Sequence, residues 1–327
     1  MPKLLIDATI PQIKNHFSKH FEITEYSNED ELKLLLPNQD ALVCRTHTII
    51  DSKILQNNQL SVIATASSGR DHILHSDSLG IPILDARGAN AWAVSDYVLS
   101  VLAQLKVLPH QSIGIIGYGP VGQAVSKRLT ALNYNIKVYD PWVKIHVDLQ
   151  ANAQEIFECQ VILIHCNHHH MSPYSSHHLL NAECFKKLSS DTIVINAARG
   201  SIVDEEALLN SRWEGQYCTD VYQHEPHINP DIIHRASICT PHIAGHSIEA
   251  KIRITDIIAN ELHAFFGINT SFQNTVERKI IPKDNWQTAI LNEYDPIFET
   301  KLIKADLRAE NFVYLRKKHL RHELDLK

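Results

Sequence analysis

Short runs of apolar, largely β-branched residues recur along the chain: KLLID (3–7), ALVCR (41–45), LSVIATAS (60–67) and IPILDA (81–86). Polar segments long enough for a helix separate them, and this alternation predicts a parallel sheet. From Ala91 the spacing changes. AWAVSDYVLSVLAQLKVL carries apolar residues at helical intervals and stops before Pro109, which predicts one long helix over 91–108. A second alternating series follows: SIGIIG (112–117), NIKVYD (135–140), QVILIH (160–165), DTIVIN (191–196), YCTDVY (217–222) and ASICTP (236–241). Such continuous runs suit strands covered on both faces. After Gly267 the alternation fades, and the last stretch, FETKLIKADLRAENFVYLRKKHLRHELDLK, is charged and helix-favouring. It reads as a small separate element. The length of 327 residues agrees with two domains and an appendage, at roughly 100–200 residues per domain.

Composition narrows the classes of partner. A net charge of −6 argues against a nucleic-acid-binding surface, so an anionic small molecule must be met by a few placed arginines. No run reaches the roughly 18 apolar residues of a membrane span, and MPKLLIDATI lacks the flanks of a secretory signal. A cytoplasmic protein without a membrane partner is the expectation. The six cysteines, Cys44, Cys159, Cys166, Cys184, Cys218 and Cys239, contain no C-x-x-C and mostly lie in or beside apolar runs, so they read as structural thiols. The 21 histidines raise the question of a metal, most sharply at HCNHHH (165–170) and at His177 and His178. Metal ligands must converge from fixed elements, whereas adjacent histidines on a polar stretch point in different directions. This segment therefore reads as a surface loop, and no metal is expected.

The strongest local motif is IGIIGYGPVGQAVSKRLTAL. Gly117, Gly119 and Gly122 form G-x-G-x-x-G directly after a strand and before an amphipathic helix, the context that gives this pattern meaning. The first glycine permits the tight turn, the second lets backbone approach a pyrophosphate, and the third lets helix pack on strand. The helix N-terminus then offers its N–H groups to the phosphates. Asp140, at the end of NIKVYD, stands where a carboxylate accepts hydrogen bonds from the adenosine ribose hydroxyls, which selects NAD over NADP. A further feature is VINAARGSIVDEEALL (194–209), where an apolar strand runs straight into Arg199. A cation there makes sense if the carboxyl end of the strand opens on a crevice that takes an anion, as parallel sheets arrange.

The fingerprint lies past residue 110 with an alternating block before it, and NAARGSIVDEEAL, TDVYQHEP and TPHIAG follow it in that order. This arrangement resembles the D-2-hydroxyacid dehydrogenase family. The resemblance implies an α/β fold in which a Rossmann NAD-binding domain (92–245) is inserted into a flavodoxin-like substrate domain (1–91 and 246–269). It also implies catalytic roles for Arg199, Glu225 and His242. His242 would remove the hydroxyl proton while hydride leaves C2, a task suited to a side chain with an ordinary pKa of about 6.5. Glu225 would fix the tautomer of His242 and stabilise the imidazolium, and Arg199 would grip the substrate carboxylate in a two-pronged bond. By the same resemblance Cys166, Ala197, Ala198, Asp220 and Gly245 line the cofactor, and Thr46 and Ser67 contact substrate.

Within the family, LLID, ALVCRTHTIID, IATASSGRDHI, SPYSSHHLL, HIAGHSIEAK and YDPIFETKLIKADLRAENFVYLRKKHL are similar to the branch that oxidises 4-phospho-D-erythronate in pyridoxal-phosphate biosynthesis. His246 stands at a substrate-contacting position where that branch usually has tyrosine. The resemblance implies a homodimer with a reduced α-rich dimerisation element (270–327), whose apolar positions are Phe298, Leu302, Ile303, Phe312, Leu315 and Leu320. Cations for the substrate phosphate are sought among Arg45, Arg70 and Arg87, with a tail residue of a second subunit as the alternative. Two other functions compete: a dehydrogenase for another D-2-hydroxy acid such as glycerate, 3-phosphoglycerate or lactate, and an NAD(H)-sensing protein without turnover. The intact Arg199, Glu225 and His242 argue against the last.

Overall fold

A computed structural model of the chain describes residues 1–10, 13–75, 78–274 and 276–327. It resolves into two compact units, Met1–Asn90 with Glu249–Glu277 and Ala91–Ile248 with Arg278–Lys327. In the first, β1 (Lys3–Asp7), β2 (Glu22–Tyr26), β3 (Ala41–Cys44), β4 (Val62–Thr65) and β5 (Ile83–Asp85) form a parallel sheet in the order β2-β1-β3-β4-β5. That is the 2-1-3-4-5 order of flavodoxin-like folds. The central strands are buried on both faces. Ile13 and Phe17 pack on one with Ile258 and Leu262 of the helix Ile248–Phe265, and Leu32, Leu36 and Ile54 pack on the other. Strand β2, sequence EITEY, is absent from the apolar pattern because it is an edge strand whose charged residues face out.

The second unit begins with the helix Ala91–Gln104, shorter than the apolar spacing predicts. It ends because Lys106 takes a left-handed φ of 55° and the Val107 N–H returns to the Leu102 carbonyl, a Schellman turn closed by lysine instead of glycine. Then come β6 (Ser112–Ile116), β7 (Asn135–Tyr139), β8 (Val161–Ile164), β9 (Ile193–Asn196), β10 (Gln216–Thr219) and β11 (Ile238–Cys239), all parallel, in the order β11-β10-β9-β8-β6-β7. The chain steps from β6 to β7 on one side and returns to β8 on the other. The carboxyl ends of β6 and β8 therefore flank the switch point where open α/β sheets bind ligands.

The tail differs from the expectation of a separate element. Its helices Trp286–Glu293, Pro296–Ala305 and Ala309–Lys318 belong to the second unit. Thr300 Oγ1 accepts from the Cys239 N–H at 3.1 Å and donates to the Cys239 carbonyl at 3.0 Å, and Lys304 donates to the Ala236 carbonyl. The tail thus covers the β11 edge, which would otherwise present unpaired backbone. Ile303 and Phe312 are buried and Leu315 partly so, whereas Phe298 and Leu320 are 65% and 63% exposed. Arg321 enters the interior and donates to the carbonyls of Ala93, Ala244 and His246. Among the described residues no helix is long and apolar enough to cross a membrane.

Candidate active site

The glycine turn is built as its spacing implies. Gly117 has a φ of 96°, and a Cβ there would lie 2.4 Å from the Cys166 backbone nitrogen, because β8 exits directly beside β6. A Cβ on Gly122 would lie 2.0 Å from the Gly117 carbonyl oxygen, so helix and turn approach too closely for any side chain. Above Gly119 there is open space, at the N-cap of the helix Pro120–Ala131. That is a cradle a pyrophosphate can fill, and the residues fit a dinucleotide. Asp140 accepts from the backbone N–H of Tyr118 at 2.8 Å and of Trp142 at 2.9 Å, which ties the end of β7 to the turn. Gly122→Ala should lower thermal stability and NAD affinity together, by about 1–3 kcal/mol, the usual range for overpacking. Gly119→Ala should leave the melting temperature unchanged and raise the NAD Kd; equal melting losses in both variants would contradict this division of roles.

Arg199 follows β9 on a turn shaped by buried Asn196, whose Oδ1 accepts from Ala198 N–H and whose Nδ2 donates to the Arg199 carbonyl. The guanidinium donates back to the Ala198 carbonyl. A Cβ on Gly200 would lie 2.0 Å from the Tyr222 carbonyl carbon, so the Arg199 turn packs directly on the segment leading to Glu225. Glu225 Oε1 accepts from Tyr222 N–H at 3.0 Å, and Oε2 lies 2.7 Å from His242 Nδ1. Burial works to raise the Glu225 carboxyl, but His242, the Tyr222 N–H and Arg316 on the tail outweigh it and hold it below the ordinary carboxylate value. An ionised carboxylate only accepts, so Nδ1 carries a proton and Nε2 is the nitrogen left to exchange one.

Asp220 and Glu205 complete the arrangement. Asp220 is 1% exposed and accepts from Thr240 Oγ1 and from the N–H groups of Ile243 and Ala244. Its carboxylate thus buttresses the turn that carries His242. Glu205 accepts from the Gln223 N–H, and burial with the neighbouring Glu225 charge pushes its carboxyl up to about 7. Sequence reasoning missed Asn196, Glu205 and Arg316. Asn196 and Glu205 sit inside the quoted motif, but only their packing shows what they do.

The remaining expected residues fall as follows. Ala197 and Gly245 are half-buried and Ala198 is buried. The Cys166 thiol lies beside the glycine turn, where burial pushes it up to about 12, as it does for Cys44, Cys218 and Cys239. These are unreactive structural thiols. His246 is half-buried, and its carbonyl accepts from Arg321. In the first unit Thr46 is exposed after β3, and Ser67 donates to the Gly69 carbonyl in a network with Thr65 and buried His72. Arg70 and Arg87 both pair with Asp85, while Arg45 donates to the Thr9 carbonyl and hydroxyl. The expectation that the histidine-rich loop scatters its rings is incorrect for three of them. One ligand nitrogen from each of His168, His170 and His177 lies within 4.8 Å of the others, because residues 175–177 fold back on 167–170.

A family model described as D-isomer specific 2-hydroxyacid dehydrogenase, NAD binding domain, matches residues 90–244. Erythronate-4-phosphate dehydrogenase of Legionella pneumophila (strain Lens) is 39% identical over 97% of this chain and 93% of its own. The protein of that name from Psychromonas ingrahamii is 32% identical over 82% of this chain and 74% of its own. Among solved structures, an NADPH-dependent glyoxylate/hydroxypyruvate reductase from Sinorhizobium meliloti matches with a TM-score of 0.70 at 18% identity, covering 84% of this chain and 98% of its own. An NAD+-bound 3-phosphoglycerate dehydrogenase from Entamoeba histolytica matches with a TM-score of 0.67 at 23% identity, covering 84% and 99%. At these identities the structural matches speak to the fold.

Proposed function

Since the chain belongs to the D-isomer specific 2-hydroxyacid dehydrogenase family, and the part that matches the family model is its NAD binding domain, we propose that it uses NAD to oxidise 4-phospho-D-erythronate to (R)-3-hydroxy-2-oxo-4-phosphooxybutanoate in the synthesis of pyridoxine 5′-phosphate. The observation that carries this reading is the His242–Glu225 pair at 2.7 Å, in a chain 39% identical along nearly its whole length to an erythronate-4-phosphate dehydrogenase. A nicotinamide dinucleotide, when held by the glycine turn, would supply the hydride acceptor. Arg199 holds the substrate carboxylate in a charge-assisted pair and so aligns C2. His242 Nε2 takes the proton from the C2 hydroxyl as the C2–H electron pair leaves with hydride. Glu225, ionised before the reaction begins, stabilises the imidazolium that results.

Gly117, Gly119, Gly122 and Asp140 hold the dinucleotide, with Cys166, Ala197, Ala198, Asp220 and Gly245 lining or supporting its site. Thr46, Ser67 and His246 contact the substrate. Arg70 and Arg87 already share Asp85, which favours Arg45 as a phosphate cation. A homodimer is supported by the exposed apolar Phe298 and Leu320 of the tail, and sedimentation at the mass of one chain would remove it. NADH formation measured with 4-phospho-D-erythronate, 3-phosphoglycerate and D-lactate tests the activity. Turnover confined to the last two sinks the substrate assignment, and none with any of the three leaves a dinucleotide-binding protein without catalysis.

A further inference from the structure

The loop that follows β8 is pinned at both ends. At its start the His165 N–H donates to the Ile116 carbonyl at 2.7 Å; at its end the His178 N–H donates to the Ser201 carbonyl at 2.9 Å, within the turn after Arg199. Between these anchors the buried Ser176 stitches the loop to itself. Its Oγ donates to the Asn167 carbonyl at 2.6 Å and accepts from the His169 N–H at 2.8 Å, and the Ser176 and His177 N–H groups both donate to the His169 carbonyl. The stitching brings His168 and His170, from the outgoing arm, against His177 on the returning arm.

We propose that His168, His170 and His177 form a binding site for a late first-row divalent cation, of which Zn2+ is the type, with a fourth position open to solvent. His168 Nε2 and His177 Nδ1 lie 3.1 Å apart. Two nitrogens bound to zinc at about 2.0–2.1 Å in a tetrahedral arrangement lie roughly 3.3 Å apart, so this pair already has ligand spacing. All three ligand atoms lie within 4.8 Å of one another, and His170 is the exposed member of the set. Imidazole donors select zinc, copper or nickel, whereas magnesium and calcium require oxygen ligands that this cluster does not present.

The neighbours give the site an outer layer. The His178 ring stacks on His177 with centroids 3.9 Å apart, and is itself held by Gln223 Nε2 at 2.9 Å and by Asp204 at 3.5 Å. The His177 ring thus packs against a side chain that is itself anchored. A cation there cross-links the two arms of a loop that passes through Cys166, the residue packed on Gly117.

Isothermal titration of chelator-stripped protein with Zn2+ tests the proposal. One equivalent is expected, weakened at least about 10-fold, the lower end of what loss of even an outer partner costs, in each of His168→Gln, His170→Gln and His177→Gln. It should be unchanged in His146→Gln, an exposed histidine of the same unit. Co2+ added to the unmodified protein should give the intense visible bands of a four-coordinate, nitrogen-ligated ion. Absence of binding, binding kept in any of the three variants, or only the pale spectrum of octahedral cobalt would overturn the site.

Discussion

Replacing His242 by asparagine should lower turnover by about 10²-fold or more while leaving the dissociation constant for NAD unchanged, the scale on which a positioned acid–base group acts. Asparagine is the informative choice. His242 has a φ of 55°, a left-handed conformation that Asn tolerates far better than Ala or Gln, so the turn buttressed by Asp220 keeps its shape. The amide can still donate toward Glu225, but it has no nitrogen that accepts a proton at neutral pH. Fluorescence titration with NADH and steady-state rates with 4-phospho-D-erythronate separate the two effects. Unchanged turnover removes His242 from the chemistry, and a parallel loss of cofactor affinity would mean that the turn itself has collapsed.

Arg128→Met should cost about 3–5 kcal/mol of stability, the range for removing one partner of a buried ion pair. Arg128 and Asp96 are both buried, on the helices Pro120–Ala131 and Ala91–Gln104, and their side chains form a close ion pair. The second Asp96 oxygen accepts from Leu324 N–H, which links the pair to the tail. Methionine fills the space but leaves the carboxylate without its nearest cation. Burial pushes the Asp96 carboxyl up to about 6 from an ordinary 3.8, against the opposing charges of Arg128 and Arg321. The folded protein therefore holds a proton there that the unfolded chain releases, and this group's contribution to stability falls as pH rises through that window. Loss of Arg128 lifts the folded value further, so the deficit in urea unfolding should widen as the pH rises above about 6, where the native protein gives up this proton and the variant still holds it. Adding Asp96→Asn should recover most of the loss, because the uncompensated charge is what destabilises. A double variant as unstable as the single one would assign the cost to packing instead.

Much of the second unit was legible in the residues because its signals are local. The glycine spacing of 117–122 marks a turn where side chains cannot fit, and Gly117 and Gly122 have no room for a Cβ. The apolar runs mark β6 to β10 because a strand covered on both faces tolerates few polar positions. Two of the edge strands were less legible. Strand β2 carries charge on its outer side, and β11 shrinks to two residues because Thr240 and the residues after it leave the strand to build the His242 turn.

By itself the sequence determined the parallel α/β plan of both units, the dinucleotide turn and the order of Arg199, Glu225 and His242, since each depends on residues adjacent in the chain or on a periodicity within one element. Only the tertiary structure decided that Gly200 seats the Arg199 turn on Tyr222, that Asp220 supports His242, that the charged tail covers β11, and that His168, His170 and His177 converge. Each of those depends on a close approach between segments whose spacing along the chain carries no periodic signal. Burial and hydrogen-bond demand, which local pattern does not encode, bring them together.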